Sequence, residues 1–79
     1  MKQRLAEMLL NLNEKFGSNI DNVLNIHLSR EDIANIIGTA TESAIRLLSE
    51  FKKDEIISLK GKNISLLDTQ KLKKIAQGF

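Results

Sequence analysis

Apolar residues recur along the chain at two different periods, and the points where the period changes divide it into elements. Leu5, Met8, Leu9, Leu12 and Phe16 stand at offsets of 0, 3, 4, 7 and 11, which is one stripe of an amphipathic helix. Gly17 and Ser18 end it. Leu24, Ile26 and Leu28 then alternate with Asn25 and His27, a period of two that predicts a short half-buried strand. The period lengthens again after Ser29. Arg30, Glu31 and Asp32 lead into Ile33, Ile36 and Ile37, so Ser29 is placed to cap a second helix with Asp32 at its N3 position. Gly38 stops this helix, since glycine takes the left-handed conformation without a Cβ clash.

Thr39 stands three residues before Glu42, the spacing of a capping box, and predicts a third helix running through about Lys52. Ala44, Leu47, Leu48 and Phe51 share one face of it. Thr41, Glu42, Ile45, Arg46 and Ser49 share the other, where Ile45 is the apolar exception. The runs Ile56-Ile57-Ser58-Leu59 and Ile64-Ser65-Leu66-Leu67 flank Lys60-Gly61-Lys62-Asn63, a glycine-bearing turn that predicts a hairpin. Asp68 is placed to cap a last short helix with Leu72, Ile75 and Ala76 inside and Lys71, Lys73 and Lys74 mostly outside. The 79 residues suffice for one core, hence one domain over 1–79. The expected fold is mainly α with a small β-hairpin wing, in the order of a winged helix-turn-helix.

Composition removes most chemistry. The chain has no Cys, Pro, Trp or Tyr, which excludes disulfides, thiolate metal sites and cysteine nucleophiles. His27 is the single histidine, on the polar side of the predicted strand with no second His or Cys to complete a metal or general-base set. Glu31 and Asp32 are explained by the helix dipole. No nucleophile–base pair, glycine-rich phosphate loop or carboxylate pair is evident, so neither enzyme activity nor a cofactor is expected in this domain. Phe16, Phe51 and Phe79 read as core or terminal packing, too few to stack single-stranded bases. No apolar run approaches the roughly 20 residues of a membrane span. The opening Met-Lys-Gln-Arg-Leu-Ala-Glu turns acidic where a signal peptide turns apolar, so a soluble, cytoplasmic chain is expected.

The formal net charge is only +2, but it is unevenly spread. Residues 1–50 carry five basic and seven acidic side chains, and residues 51–79 carry seven and three. On the outward face of the third helix Glu42 and Arg46 lie one turn apart. Arg can donate twice to guanine O6 and N7 and Glu can accept from cytosine N4, although the two can equally pair with each other. Lys60 and Lys62 can serve a DNA backbone or simply keep the hairpin soluble.

Several segments resemble the C-terminal DNA-binding domain of the Crp/Fnr family of bacterial transcriptional regulators, to which the cyclic-AMP receptor protein belongs. They are Arg4-Leu5-Ala6-Glu7-Met8-Leu9-Leu10, Leu28-Ser29-Arg30-Glu31-Asp32-Ile33-Ala34, Gly38-Thr39-Ala40-Thr41-Glu42-Ser43-Ala44-Ile45-Arg46-Leu47-Leu48 and the wing run from Ile56 to Ile64. The resemblance implies a recognition helix over about 40–52 in the major groove. It further implies that Glu42 and Arg46 read a G·C pair in a TGA-like half-site, and that Ser29, Arg30, Ser43, Lys60 and Lys62 meet the DNA backbone. Thr41 stands where the cyclic-AMP receptor protein has a base-contacting arginine, Ala40 replaces a phosphate-reaching serine, and Ile45 replaces a small residue, so site preference should differ. Ile45 can meet a thymine methyl. The family also implies an upstream effector-binding β-barrel and dimerising helix, making the chain a fragment of a homodimeric regulator with RNA polymerase as a partner. The competing reading is a winged helix that binds another protein through Ile45.

Overall fold

The computed structural model describes residues 1–78. Its elements are α1 (Lys2–Phe16), α2 (Arg30–Ile37), α3 (Thr41–Lys53), β1 (Ile57–Lys60), β2 (Asn63–Leu66) and α4 (Thr69–Ala76). The strands pair antiparallel with Lys60 opposite Asn63, which leaves Gly61 and Lys62 as a two-residue turn. This is the expected winged helix-turn-helix, with each element within a few residues of its predicted bounds.

One apolar core joins all of these elements. It takes Leu5, Ala6, Met8 and Leu9 from α1, Ile33, Ala34 and Ile37 from α2, and Ala44, Leu48 and Phe51 from α3. The hairpin adds Ile57, Ile64 and Leu66, its approach adds Ile56, and α4 adds Leu72. No polar or charged side chain is buried among the described residues. α2 packs on α3, and α1 packs on α4, where Gln3 Nε2 donates to the Ala76 carbonyl at 3.1 Å.

The helix ends form largely as their residues dictate. Ser29 Oγ accepts from the Asp32 amide at 3.0 Å while the Ser29 amide donates to Asp32 Oδ2 at 3.2 Å, a complete capping box. Asp68 caps α4 by accepting from the Lys71 amide at 3.0 Å. Gly38 closes α2 in the left-handed region, at φ 79. Arg4 Nη1 donates to the Ile37 carbonyl at 3.2 Å and would stand 3.3 Å from a Cβ at Gly38, so the turn is tight as well as left-handed.

Three expectations are corrected. The Thr39–Glu42 capping box does not form: Ala40 is the N-cap of α3 and no side chain caps it. Thr39 belongs instead to the preceding helix end, its amide donating to the Ala34 carbonyl at 2.9 Å. The strand predicted over 24–28 is absent from the named strands. The pairing falls earlier, where the Leu24 amide donates to the Ile64 carbonyl at 2.9 Å and the Leu66 amide to the Asn22 carbonyl at 3.1 Å, so residues 22–24 line the free edge of β2. Phe16 is exposed rather than core, as are Ile36 and Leu67, because each lies at the end or outer edge of its apolar stripe. Phe79 lies outside the described residues.

Substituting Gly38 by Ala places a Cβ in the left-handed conformation and against Arg4. The expected loss of stability is about 1–2 kcal/mol, read as a lower urea midpoint at unchanged m value.

Candidate nucleic-acid interface

Burial fixes the orientation of α3. Ala44, Leu48 and Phe51 are sealed in the core, which turns Thr41, Glu42, Ile45 and Arg46 to solvent as two adjacent rows one helical turn long. Thr41, Glu42 and Arg46 are exposed, Ile45 is 45% exposed and Ser43 is half-buried. Glu42 and Arg46 do not pair. Among the described residues the one ion pair within 4.0 Å is Lys2–Glu50, at 3.5 Å, so the reading of Glu42 and Arg46 as a mutually satisfied pair is not realised. Both charged heads stand free on the solvent face of α3.

Groups suited to phosphate lie at the start of α2 and on the wing. Ser29 is exposed, and its Oγ serves the capping box as an acceptor, which leaves the hydroxyl proton uncommitted. Arg30 is half-buried and its Nη2 donates to the Gly61 carbonyl at 3.2 Å, a contact between the start of α2 and the wing that sequence reasoning missed. Lys60 and Lys62 are exposed at the wing tip. Ala40 leaves the first-turn amides of α3 without a side-chain partner, so the positive end of the helix is open. His27 is exposed and lines an open polar concavity with Ser58 and Lys60. Lys71, Lys73 and Lys74 are exposed on α4. No helix of the described residues is long and apolar enough to cross a membrane.

The model of the Crp-like helix-turn-helix domain matches residues 3–75. The chain belongs to this family. The Crp-like domain is 36% identical over 77 residues to the fumarate and nitrate reduction regulatory protein of Vibrio cholerae, covering 95% of this chain and 31% of that protein. It is 30% identical over 76 residues to the CRP-like cAMP-activated global transcriptional regulator of Mycobacterium tuberculosis, covering 94% and 34%. Among solved structures, the CO-dependent transcription factor CooA of Carboxydothermus hydrogenoformans is similar with a TM-score of 0.84 and 32% identity, over 95% of this chain and 36% of that one. The chain thus spans about a third of the length of the relatives it matches. These relatives are named as regulators of transcription.

The two threonine and serine positions near the helix starts differ in what they do, and stability measurements distinguish them. Ser29→Ala is expected to cost about 1 kcal/mol through loss of the cap. Thr39→Ala should stay within about 0.5 kcal/mol of the native chain in the same urea titration.

Proposed function

We propose that the chain is the DNA-reading module of a Crp/Fnr-type regulator, binding double-stranded DNA in a sequence-specific way with α3 in the major groove. The observation that carries this reading is the pair of unpartnered charges, Glu42 and Arg46, on the solvent face of α3. Arg46 donates to guanine O6 and N7 and Glu42 accepts from cytosine N4 of a G·C pair in a TGA-like half-site. Thr41 and Ile45 address the adjoining bases, Ile45 through a thymine methyl. Ser29, Arg30 and Ser43 hold phosphates beside the groove, and Lys60 and Lys62 hold those beneath the wing. The capped start of α2 adds the positive end of a helix to the Ser29 hydroxyl.

By family resemblance the reading extends to a cytoplasmic homodimer on a near-palindromic site, with an effector domain upstream and RNA polymerase as the partner of the bound regulator. A module tested alone binds each half-site weakly, since it lacks the avidity of two linked readers.

Titrating a labelled duplex bearing two TGA-containing half-sites, beside a random duplex, tests the reading across a series of salt concentrations. A preferred site and a steep negative dependence of log K on log salt are expected. Equal affinity for both duplexes would sink it and favour a protein-binding face anchored on Ile45, which is 45% exposed.

Three substitutions assign the roles. Arg46→Ala should cost about 1–3 kcal/mol on the TGA site and far less on random DNA, whereas Lys62→Ala should weaken both alike. Ile45→Ser should change the base preferred beside the G·C pair in a binding selection; an unaltered preference removes Ile45 from the reading set.

A further inference from the structure

We infer that Arg30 is a positioning residue for the wing, holding the hairpin tip at a fixed place beside the start of α2 while its remaining donors face the DNA backbone. This rests on the DNA-binding reading above. Three observations lead to it. First, Arg30 Nη2 donates to the Gly61 carbonyl at 3.2 Å, across 31 residues of sequence. Among the described residues this is the only side-chain hydrogen bond that reaches residues 60–63.

Second, the wing is anchored at its base and not at its tip. Ile57, Ile64 and Leu66 are buried, and residues 22–24 pair with β2 near Ile64 to Leu66. Lys60, Gly61, Lys62 and Asn63 are all exposed. A two-residue turn beyond the last buried side chain pivots about its base unless something outside the hairpin holds it. Arg30 supplies that hold.

Third, the Arg30 guanidinium is not neutralised. No carboxylate lies within 4.0 Å of it among the described residues, and the neighbouring Asp32 carboxylate is already engaged by the Ser29 amide. Arginine carries five donors in a rigid fork, so one can serve the Gly61 carbonyl while others serve a phosphate. A lysine has a compact head that does not span both in the same way. The contact of Lys62 with DNA therefore depends on Arg30, and the two side chains act as one unit rather than as two independent charges.

The test is a double-substitution cycle on the duplex with two TGA-containing half-sites. Arg30→Ala is expected to weaken binding about tenfold and Lys62→Ala about threefold, with the double variant within about twofold of Arg30→Ala alone. Arg30→Lys keeps the charge but releases the wing, so its log K against log salt slope should be shallower than the native one by about one phosphate contact, and Lys62→Ala made on that background should change affinity less than about twofold. In the DNA-free protein, Arg30→Lys should speed amide hydrogen exchange at Asn63, which pairs with Lys60 at the end of the ladder, several-fold. Failure of the native chain to prefer the TGA duplex would overturn both the DNA-binding reading and this inference. Specific binding with multiplicative losses, about thirtyfold in the double variant, would overturn the inference alone, whatever the amide at Asn63 does.

Discussion

The geometry of the reading face rests on the close packing of α2 against α3. Two buried alanines suit that approach: Ala34 and Ala44 are 1% and 0% exposed, one from each helix. A small side chain at such a position lets backbones come together without voids, and the larger residues around it, Leu5, Leu9, Ile33 and Leu48, fill the remaining space. Three residues link the two helices, and Gly38 is the one that permits so short a turn. Ser29 and Arg30 at the start of α2 are thereby fixed relative to Glu42 and Arg46 on α3. A larger side chain at 34 or 44 would spread the helices and displace the phosphate-facing groups from the base-facing ones.

The parts of this structure that were legible in the sequence are those whose causes are local. The Ser29–Asp32 box, the glycine at 38 and the Asp68 cap each involve residues within a few positions of one another, and each forms as written. The outward row of α3 was legible for a related reason, since a helix with one apolar face must present its other face to solvent. What failed was non-local. Alternation over residues 24–28 reports which side chains are half-buried and nothing about which strand accepts the hydrogen bonds, and the edge of β2 takes residues 22–24 instead. Thr39 had the spacing of a cap, but its backbone was already drawn into the end of α2. The stripe through Leu12 and Phe16 runs farther along α1 than the neighbouring elements cover, so its last member is exposed. The bond from Arg30 to Gly61 spans 31 residues and has no signature in either segment.

The modest net charge of +2 takes on a different meaning once the side chains are placed. Attraction to a polyanion depends on which charges face it and on whether they are already neutralised. Among the described residues Glu42, Arg46, Lys60 and Lys62 are exposed and outside any ion pair, and Arg30 donates to a carbonyl rather than to a carboxylate. Glu50, by contrast, lies on α3 but is paired with Lys2 of α1, which occupies that acid away from the reading rows.

The contact between α1 and α4 has a mechanical meaning. Gln3 and Ala76 are 73 positions apart in the chain yet share a hydrogen bond, so the first and last helices form a clasp that brings the two ends of the described chain together. Tension applied at both ends would be borne across this clasp and would bypass the turn at Gly38 and the reading face of α3. Joining the ends by a short linker and opening the chain at an exposed loop, such as the one around Ile20, would leave every buried contact in place. The module can therefore be carried by either end without bending the surface that α3 presents.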